Sequence, residues 1–252
     1  MPSPCLKYKR KIAEFYGAIS STYNATCDKS RESELSRIQS ESEAHFITSS
    51  NEKSSICGQA TVGLEFMKQV KDLDAVLVPC GSGGLLAGIA TAVKALRPDI
   101  KVIGVEHCTP FGLKKSMEMR ERVWPEYYVP SICNGLQNPT MKPSLSEESA
   151  GIIFQYVDGV IQVPDELTSK AVQFFLTQMK MVVEPSGAIT AAALMDSENL
   201  ENSLKDCQNI GAVISGGNVD ILKELAEAAK KSSIEEEESI NRTLQKLIER
   251  IN

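Results

Sequence analysis

The sequence predicts an α/β protein whose parallel sheet is flanked by helices. Three observations carry that reading. Residues 74–79 (DAVLVP) and 210–215 are short, continuous apolar runs, the pattern of strands covered on both faces. Each run ends in glycines that lead toward a helix, at residues 81–84 and 216–217. Along the chain, helical and strand patterns alternate.

Taken in order, residues 7–16 predict a helix stopped by Gly17, and residues 18–23 a short strand. Residues 30–43 are polar and helical, and residues 45–48 suggest a second strand. Residues 56–70 place Ile56, Ala60, Leu64 and Met67 on one helical stripe. After strand 74–79, residues 85–96 read as an Ala-, Leu- and Ile-rich helix and 101–106 (KVIGVE) as the next strand. Strand, helix and strand at this spacing form one βαβ unit. Residues 107–150 are long for a plain connection, so part of them is expected to be helical or functional. Residues 160–163 suggest a strand, with Asp165 as N-cap of a helix to about residue 180. Residues 188–194 form another helix, 210–215 a last strand, and a helix is expected near Asp220. In the tail, residues 232–252 run from Ser-Ser through four glutamates to Ile240, Leu244, Leu247 and Ile251. Their spacing of four, three and four puts them on one helix face, long enough to dock on the body but short for a coiled coil.

Composition bounds the function. The chain has 252 residues and net charge −6, so no global field draws it to nucleic acid or an anionic membrane. Its one basic cluster, Lys7, Lys9, Arg10 and Lys11, reads as an exposed helix face. No apolar run approaches the ~20 residues a bilayer span needs, and the first residues lack a signal peptide's apolar core. Seven scattered cysteines without a C-x-x-C pair read as free thiols in a reducing, cytoplasmic setting. With only His45 and His107, a multi-histidine metal centre or a Ser-His-Asp triad has few candidates.

The strongest local signal is VPCGSGGLLAG, residues 78–88. Glycines let backbone N–H groups converge on one point, and the helix N-terminus behind them adds about half a positive charge. The result is a cup for a phosphate dianion. A P-loop is excluded, because Ile89 stands where its lysine is required. A dinucleotide fingerprint matches at Gly81 and Gly83 but meets Leu86 at its third glycine, with Glu106 as the ribose acceptor. A dinucleotide-binding domain therefore stays as an alternative. The second glycine turn, ISGGNVD (214–220), suggests a ligand that touches both turns.

Together these segments resemble the threonine dehydratase and serine racemase family of fold-type II enzymes that use pyridoxal 5′-phosphate (PLP), with a tryptophan synthase β-like fold. The matching stretches are YGA (16–18), CGQATVGLE (57–65), residues 74–98, KVIGVE (101–106), MKMVVEPSGA (179–188) and VISGGNVD (213–220). The resemblance implies that Gly81, Ser82, Gly83, Gly84 and Leu85 hold the PLP phosphate through backbone N–H groups. It places Ser215 at the pyridine nitrogen, Gly135 (in Asn134–Gly135, where the family usually has Asp-Gly) beside the cofactor, and Glu184 near its ring. Glu106 matches an acidic residue that helps bind a divalent cation in serine racemase-like members, although the second ligand position is Gly112. Ser82 interrupts what is usually a run of four glycines.

The family's Schiff-base lysine, in a Ser-Phe-Lys-like segment, and its substrate-carboxylate loop have no copy here. The expectation is an N-terminally truncated chain. Residues 1–48 would be a poorly supported remnant of the small domain, 49–231 the large PLP-binding domain, and 232–252 the tail. The implied function is a PLP-dependent serine or threonine ammonia-lyase or a serine racemase-like protein, severely impaired as this chain alone. The alternative is an inactive paralogue acting as a binding or regulatory subunit. The implied partners are serine or threonine, and a second copy or a full-length subunit.

Overall fold

The computed structural model describes residues 1, 7–24, 28–42, 44–110, 112–137, 145–196, 198 and 202–220. Residues 1–217 form one compact unit; of a second, 218–252, only 218–220 are described. The expected helix after Asp220 and the amphipathic tail lie outside the described residues.

The centre is a four-stranded parallel sheet in the order β3-β2-β1-β4. Its strands are β1 (Ala75–Pro79), β2 (Lys101–His107), β3 (Gly159–Val163) and β4 (Ile210–Ala212). Every residue of β1 is buried, as its unbroken apolar run predicts. Its alternate side chains enter two separate cores. Val76 and Val78 join Val102 and the helices α3 (Lys53–Gln69), α4 (Gly84–Leu96) and α6 (Glu147–Tyr156). Ala75 and Leu77 join Ile103, Val105 and the helices α7 (Asp165–Phe174) and α8 (Pro185–Leu194) on the other face.

Helix α3 corrects its predicted stripe. Ile56 and Met67 are buried, but Leu64 is 48% exposed, and Gly63 takes the inner position. A Cβ on Gly63 would stand 3.0 Å from Ala92 Cβ, and one on Gly88 would stand 2.6 Å from Ile56 O. The two helices therefore cross at small residues, and that close approach, not the largest side chains, sets which face of α3 turns inward.

The amino-terminal segment departs furthest from expectation. Helices α1 (Lys7–Phe15) and α2 (Asp28–Glu41) form as predicted, and Gly17 ends α1 with φ +88°. Residues 18–23 and 45–48 are not strands. Tyr23 alone makes a bridge, its N–H donating to Met1 O at 3.0 Å. Strand propensity becomes a strand only where a neighbour offers its edge, and none does among the described residues. Phe15, Tyr16, Ile19 and Ile47 are each at least 70% exposed.

Further along, part of 107–150 is helical, as α5 (Leu113–Met119) and α6. Pro164, not Asp165, is the N-cap of α7, because the Asp165 carboxylate turns away to accept Ser131 Oγ (2.6 Å) and Ile132 N (3.0 Å). A π-helical turn (Phe175–Met179) follows, closed by Lys180 at φ 57°.

Candidate functional site

Parallel strands bring their carboxyl ends to one edge of the sheet. Leu77 pairs with Ala212, and Val213 N donates to Leu77 O at 3.0 Å. The two glycine turns, 135 positions apart from Gly81 to Gly216, are thus neighbours because β1 and β4 are neighbours.

After β1, Cys80 N still donates to Val105 O (2.8 Å), and the chain then leaves the sheet. Gly83 is the N-cap of α4 at φ +96°, a conformation that L side chains rarely adopt. The loop is held from behind. A Cβ on Gly84 would lie 2.3 Å from Ser49 O, and one on Gly83 would lie 2.8 Å from Ile153 Cδ1 and 2.9 Å from Ser149 Cβ. Ser82 O accepts from Ser146 N (3.0 Å), and its side chain is exposed. No side chain caps the first turn of α4, so its leading N–H groups keep their donors for something else.

From this loop a rim runs to the second glycine turn. A Cβ on Gly81 would stand 2.9 Å from Leu136 Cα. Gly135 N donates to Ser186 Oγ at 2.9 Å, and a Cβ on Gly135 would be 3.5 Å from Glu184 Oε1. Glu184 is the N-cap of α8; its N–H donates to Gly216 O (3.0 Å), and a Cβ on Gly216 would meet its Oε1 at 2.6 Å. Ser215 follows, exposed beside Gly216. Gly81, Gly135, Glu184 and Ser215 thus share one rim, with Ser82, Gly83, Gly84 and Leu85 at its helix end.

Glu106 does not join that rim. It is 3% exposed and turned toward α5 and β3. Its Oε2 accepts from Leu113 N (2.6 Å), and its Oε1 from Lys114 N (2.9 Å) and Gln162 Nε2 (3.1 Å). Burial pushes its carboxyl up to about 7, against the opposing pull of those N–H groups. A Cβ on Gly112 would sit on the Glu106 carboxylate, so glycine lets the backbone fold over it. These donors do not fit a divalent cation: both oxygens are taken by N–H groups, and Gly112 brings no ligand. Among the described residues no cluster of three His, Cys, Asp or Glu could hold a metal. Adding Mg²⁺ or EDTA is expected to leave the melting temperature of the purified chain unchanged; a rise with Mg²⁺ would show a cation at Glu106 after all.

Leu86, which broke the dinucleotide fingerprint, is fully buried. The closeness that a third glycine provides elsewhere comes here from β2, where a Cβ on Gly104 would stand 2.9 Å from Leu86 Cδ2.

One contact beside the rim was missed in the sequence. Lys9, read there as part of an exposed basic face, reaches from α1 to Asn134 Oδ1 at 2.7 Å. Its i and i+4 companions carry no signal of this, because the partner lies 125 positions away.

The chain matches the family described as "Pyridoxal-phosphate dependent enzyme" over residues 1–216. It is 33% identical to serine racemase from Homo sapiens over 222 residues, covering 88% of this chain and 63% of that protein. It is also 33% identical to L-threonine ammonia-lyase from Thermotoga maritima over 185 residues, 73% of this chain and 44% of that one. The chain therefore spans less than two thirds of the length of these curated relatives. The solved structure of maize serine racemase superposes with a TM-score of 0.81 at 29% identity, covering 93% of this chain and 70% of that one.

Proposed function

Because this chain belongs to the pyridoxal-phosphate dependent enzyme family, we propose that its rim holds PLP and that the protein acts on serine or threonine, as an ammonia-lyase or a racemase. The observation that carries the reading is the meeting of two glycine turns at one sheet edge, with an uncapped helix N-terminus at the first and the exposed, neutral Ser215 in the second. Those residues fit the cofactor. The leading N–H groups of α4, from Gly83, Gly84 and Leu85, suit a phosphate dianion, and the glycines keep the loop close enough to present them.

When bound, PLP supplies the electron sink for bond breaking at an amino acid's Cα. The chain's own part is to bind and orient. Ser215 would offer a hydroxyl to the ring nitrogen and would add no negative charge there, which would leave that nitrogen less protonated than a carboxylate partner would. Gly135 leaves open the side where a larger residue would strike Ser186 Oγ. Glu184, anchored through its N–H to Gly216 O, holds a carboxylate on the rim. Among the described residues no helix is long and apolar enough to cross a membrane. The free cysteines favour a cytoplasmic protein. The exposed apolar side chains of the amino-terminal segment, which we read as the smaller domain, favour pairing with a second copy or a longer subunit.

Titrating the chain with PLP, with inorganic phosphate as competitor, tests the reading. Saturable binding that phosphate weakens is expected, and NAD binding without PLP binding would refute it. Ser215→Ala should weaken PLP about fivefold, the worth of one hydrogen bond of about 1 kcal/mol. Its melting temperature should not move, since the side chain is exposed.

A further inference from the structure

We propose that Asp165 is a positioning residue of the rim: its carboxylate, at the start of α7, fixes segment 131–136 as the wall that meets the glycine cup, and so sets how tightly the cup takes a phosphorylated pyridine. The inference rests on the PLP reading above. One carboxylate oxygen accepts from Ser131 Oγ (2.6 Å) and the other from Ile132 N (3.0 Å). Ser131 Oγ in turn accepts from Cys133 N at 3.0 Å. The Cys133 N–H uses a lone pair of that oxygen and leaves the hydroxyl proton to point at Asp165. An anion with two acceptor oxygens takes that proton together with the Ile132 N–H. Among the described residues no lysine or arginine pairs with Asp165.

From this latch the chain runs directly to the cup. Cys133 is fully buried, and a tight turn follows in which Asn134 N donates to Ile132 O (2.8 Å) and Leu136 N to Cys133 O (2.9 Å). Gly135 N then rests on Ser186 Oγ, and Leu136 Cα lies so near Gly81 that a Cβ there would stand 2.9 Å from it. Asp165 thus holds the entry of the turn and Ser186 its tip, each from the first turn of a different helix. Beyond the turn, Gln137 donates to Val129 O (2.8 Å) and accepts from Tyr128 Oη (2.6 Å). Those partners belong to the same connection and tie it to itself, not to the sheet. Released at Asp165, the wall spends part of its time away from Gly81, and the apparent affinity falls with the fraction of molecules that keep it in place.

An acidic residue in a helix's first turn also stabilises that helix end by its charge, a role with no bearing on a ligand. Two other carboxylates isolate what is merely structural. Glu166 is exposed and shares the first turn of α7. Asp74 accepts from Gln208 N and Asn209 N, each at 2.8 Å, just before β1 and so at the opposite end of that strand from the rim.

The test uses the whole 252-residue chain and pyridoxine 5′-phosphate, which has the ring and phosphate but no aldehyde, so that binding is read without any covalent step. Calorimetric titration, thermal melts and amide hydrogen exchange are measured on each variant. Asp165→Ala should weaken the probe about fivefold, the worth of roughly one net hydrogen bond. The amides of Asn134, Gly135 and Leu136 should exchange faster in it and regain protection when the probe is bound. Ser131→Ala should weaken the probe to a similar degree, and the double variant no further than the weaker of the two, because both act through one latch. Asp165→Asn keeps the shape and one acceptor oxygen but turns an NH₂ toward the other donor. It should show a smaller loss in the same direction, and it carries the test if Asp165→Ala does not fold. Glu166→Ala and Asp74→Ala should leave the affinity and those three amides unchanged, whatever they do to the melting temperature. Unchanged affinity in the Asp165 variants, additive losses in the double variant, or an equal loss in Asp74→Ala or Glu166→Ala overturns the assignment, while binding of the probe by the unaltered chain leaves the PLP reading standing. If the unaltered chain does not bind the probe, the PLP reading falls and the role of Asp165 with it.

Discussion

Gly84→Ala is expected to lower the stability of the chain by about 2–3 kcal/mol, through overpacking of a site that cannot yield. The new Cβ would meet Ser49 O at 2.3 Å and Ser50 Cα at 3.0 Å, both backbone. That segment is fixed from its far side, because Ser50 O accepts the hydroxyls of Ser146 (2.5 Å) and Ser149 (2.8 Å). Either the 49–50 segment or the first turn of α4 must shift. In a chain of this size the loss corresponds to a fall of roughly 5–10 °C in melting temperature. Moving the first turn also misdirects the N–H groups that would face the phosphate, so PLP affinity should fall about tenfold or more, each factor of ten being about 1.4 kcal/mol. Gly151→Ala is the control. It sits inside α6 with nothing within 4 Å of the added Cβ, and it should be neutral or stabilising by up to about 1 kcal/mol. Thermal melts and PLP titrations of the two variants decide the matter. Equal behaviour would mean that the tight seat of Gly84 has no energetic weight.

Glu106 should make the protein lose stability as pH rises. Its folded carboxyl titrates at about 7, against an ordinary value of 4.5. Between those values the folded state holds a proton that the unfolded state has released. Stability therefore falls from about pH 4.5 to about pH 7 and is flat beyond, the reverse of a salt-bridged carboxylate. At about 1.4 kcal/mol per unit, the full swing is roughly 3 kcal/mol or a little more. Glu106→Gln has no proton to lose at this position and should remove that slope. The measurement is denaturant unfolding of both proteins at pH 5 and pH 8. His107 is pushed the opposite way, below the usual imidazole value by burial, so the quantity that counts is the difference between the two proteins at each pH. A difference that does not change with pH would show that Glu106 stays ionised throughout.

Much of the fold can be read along the chain, and its failures are informative. The runs that became β1 and β2 and the helix between them fall where their apolar patterns place them, because a strand buried on both faces leaves no room for polar residues. Residues 18–23 carry strand-like side chains and form no strand, because pairing is a property of neighbours. The stripe on α3 is displaced to Gly63 because α4 approaches through Gly88, a fact about two helices that neither displays alone. Asp165 looks like a helix cap and instead serves Ser131 and Ile132, more than thirty positions earlier.

The candidate site divides in the same way. The glycines at 81–84 and 216–217 announce themselves in the sequence, since a turn that must expose N–H groups or take φ +96° restricts which residue can stand there. The sequence by itself therefore determined the family, the parallel sheet and the two glycine turns, and the pairing of β1 with β4 made those turns neighbours. Tertiary structure alone decided that Glu106 is closed over by backbone N–H groups, that Gly135 leans on Ser186, and that Lys9 leaves its basic cluster for Asn134. The reason is physical. Local sequence fixes backbone conformation and burial periodicity, whereas the partner of a polar side chain is whichever group the packing of distant segments brings within about 3 Å of it.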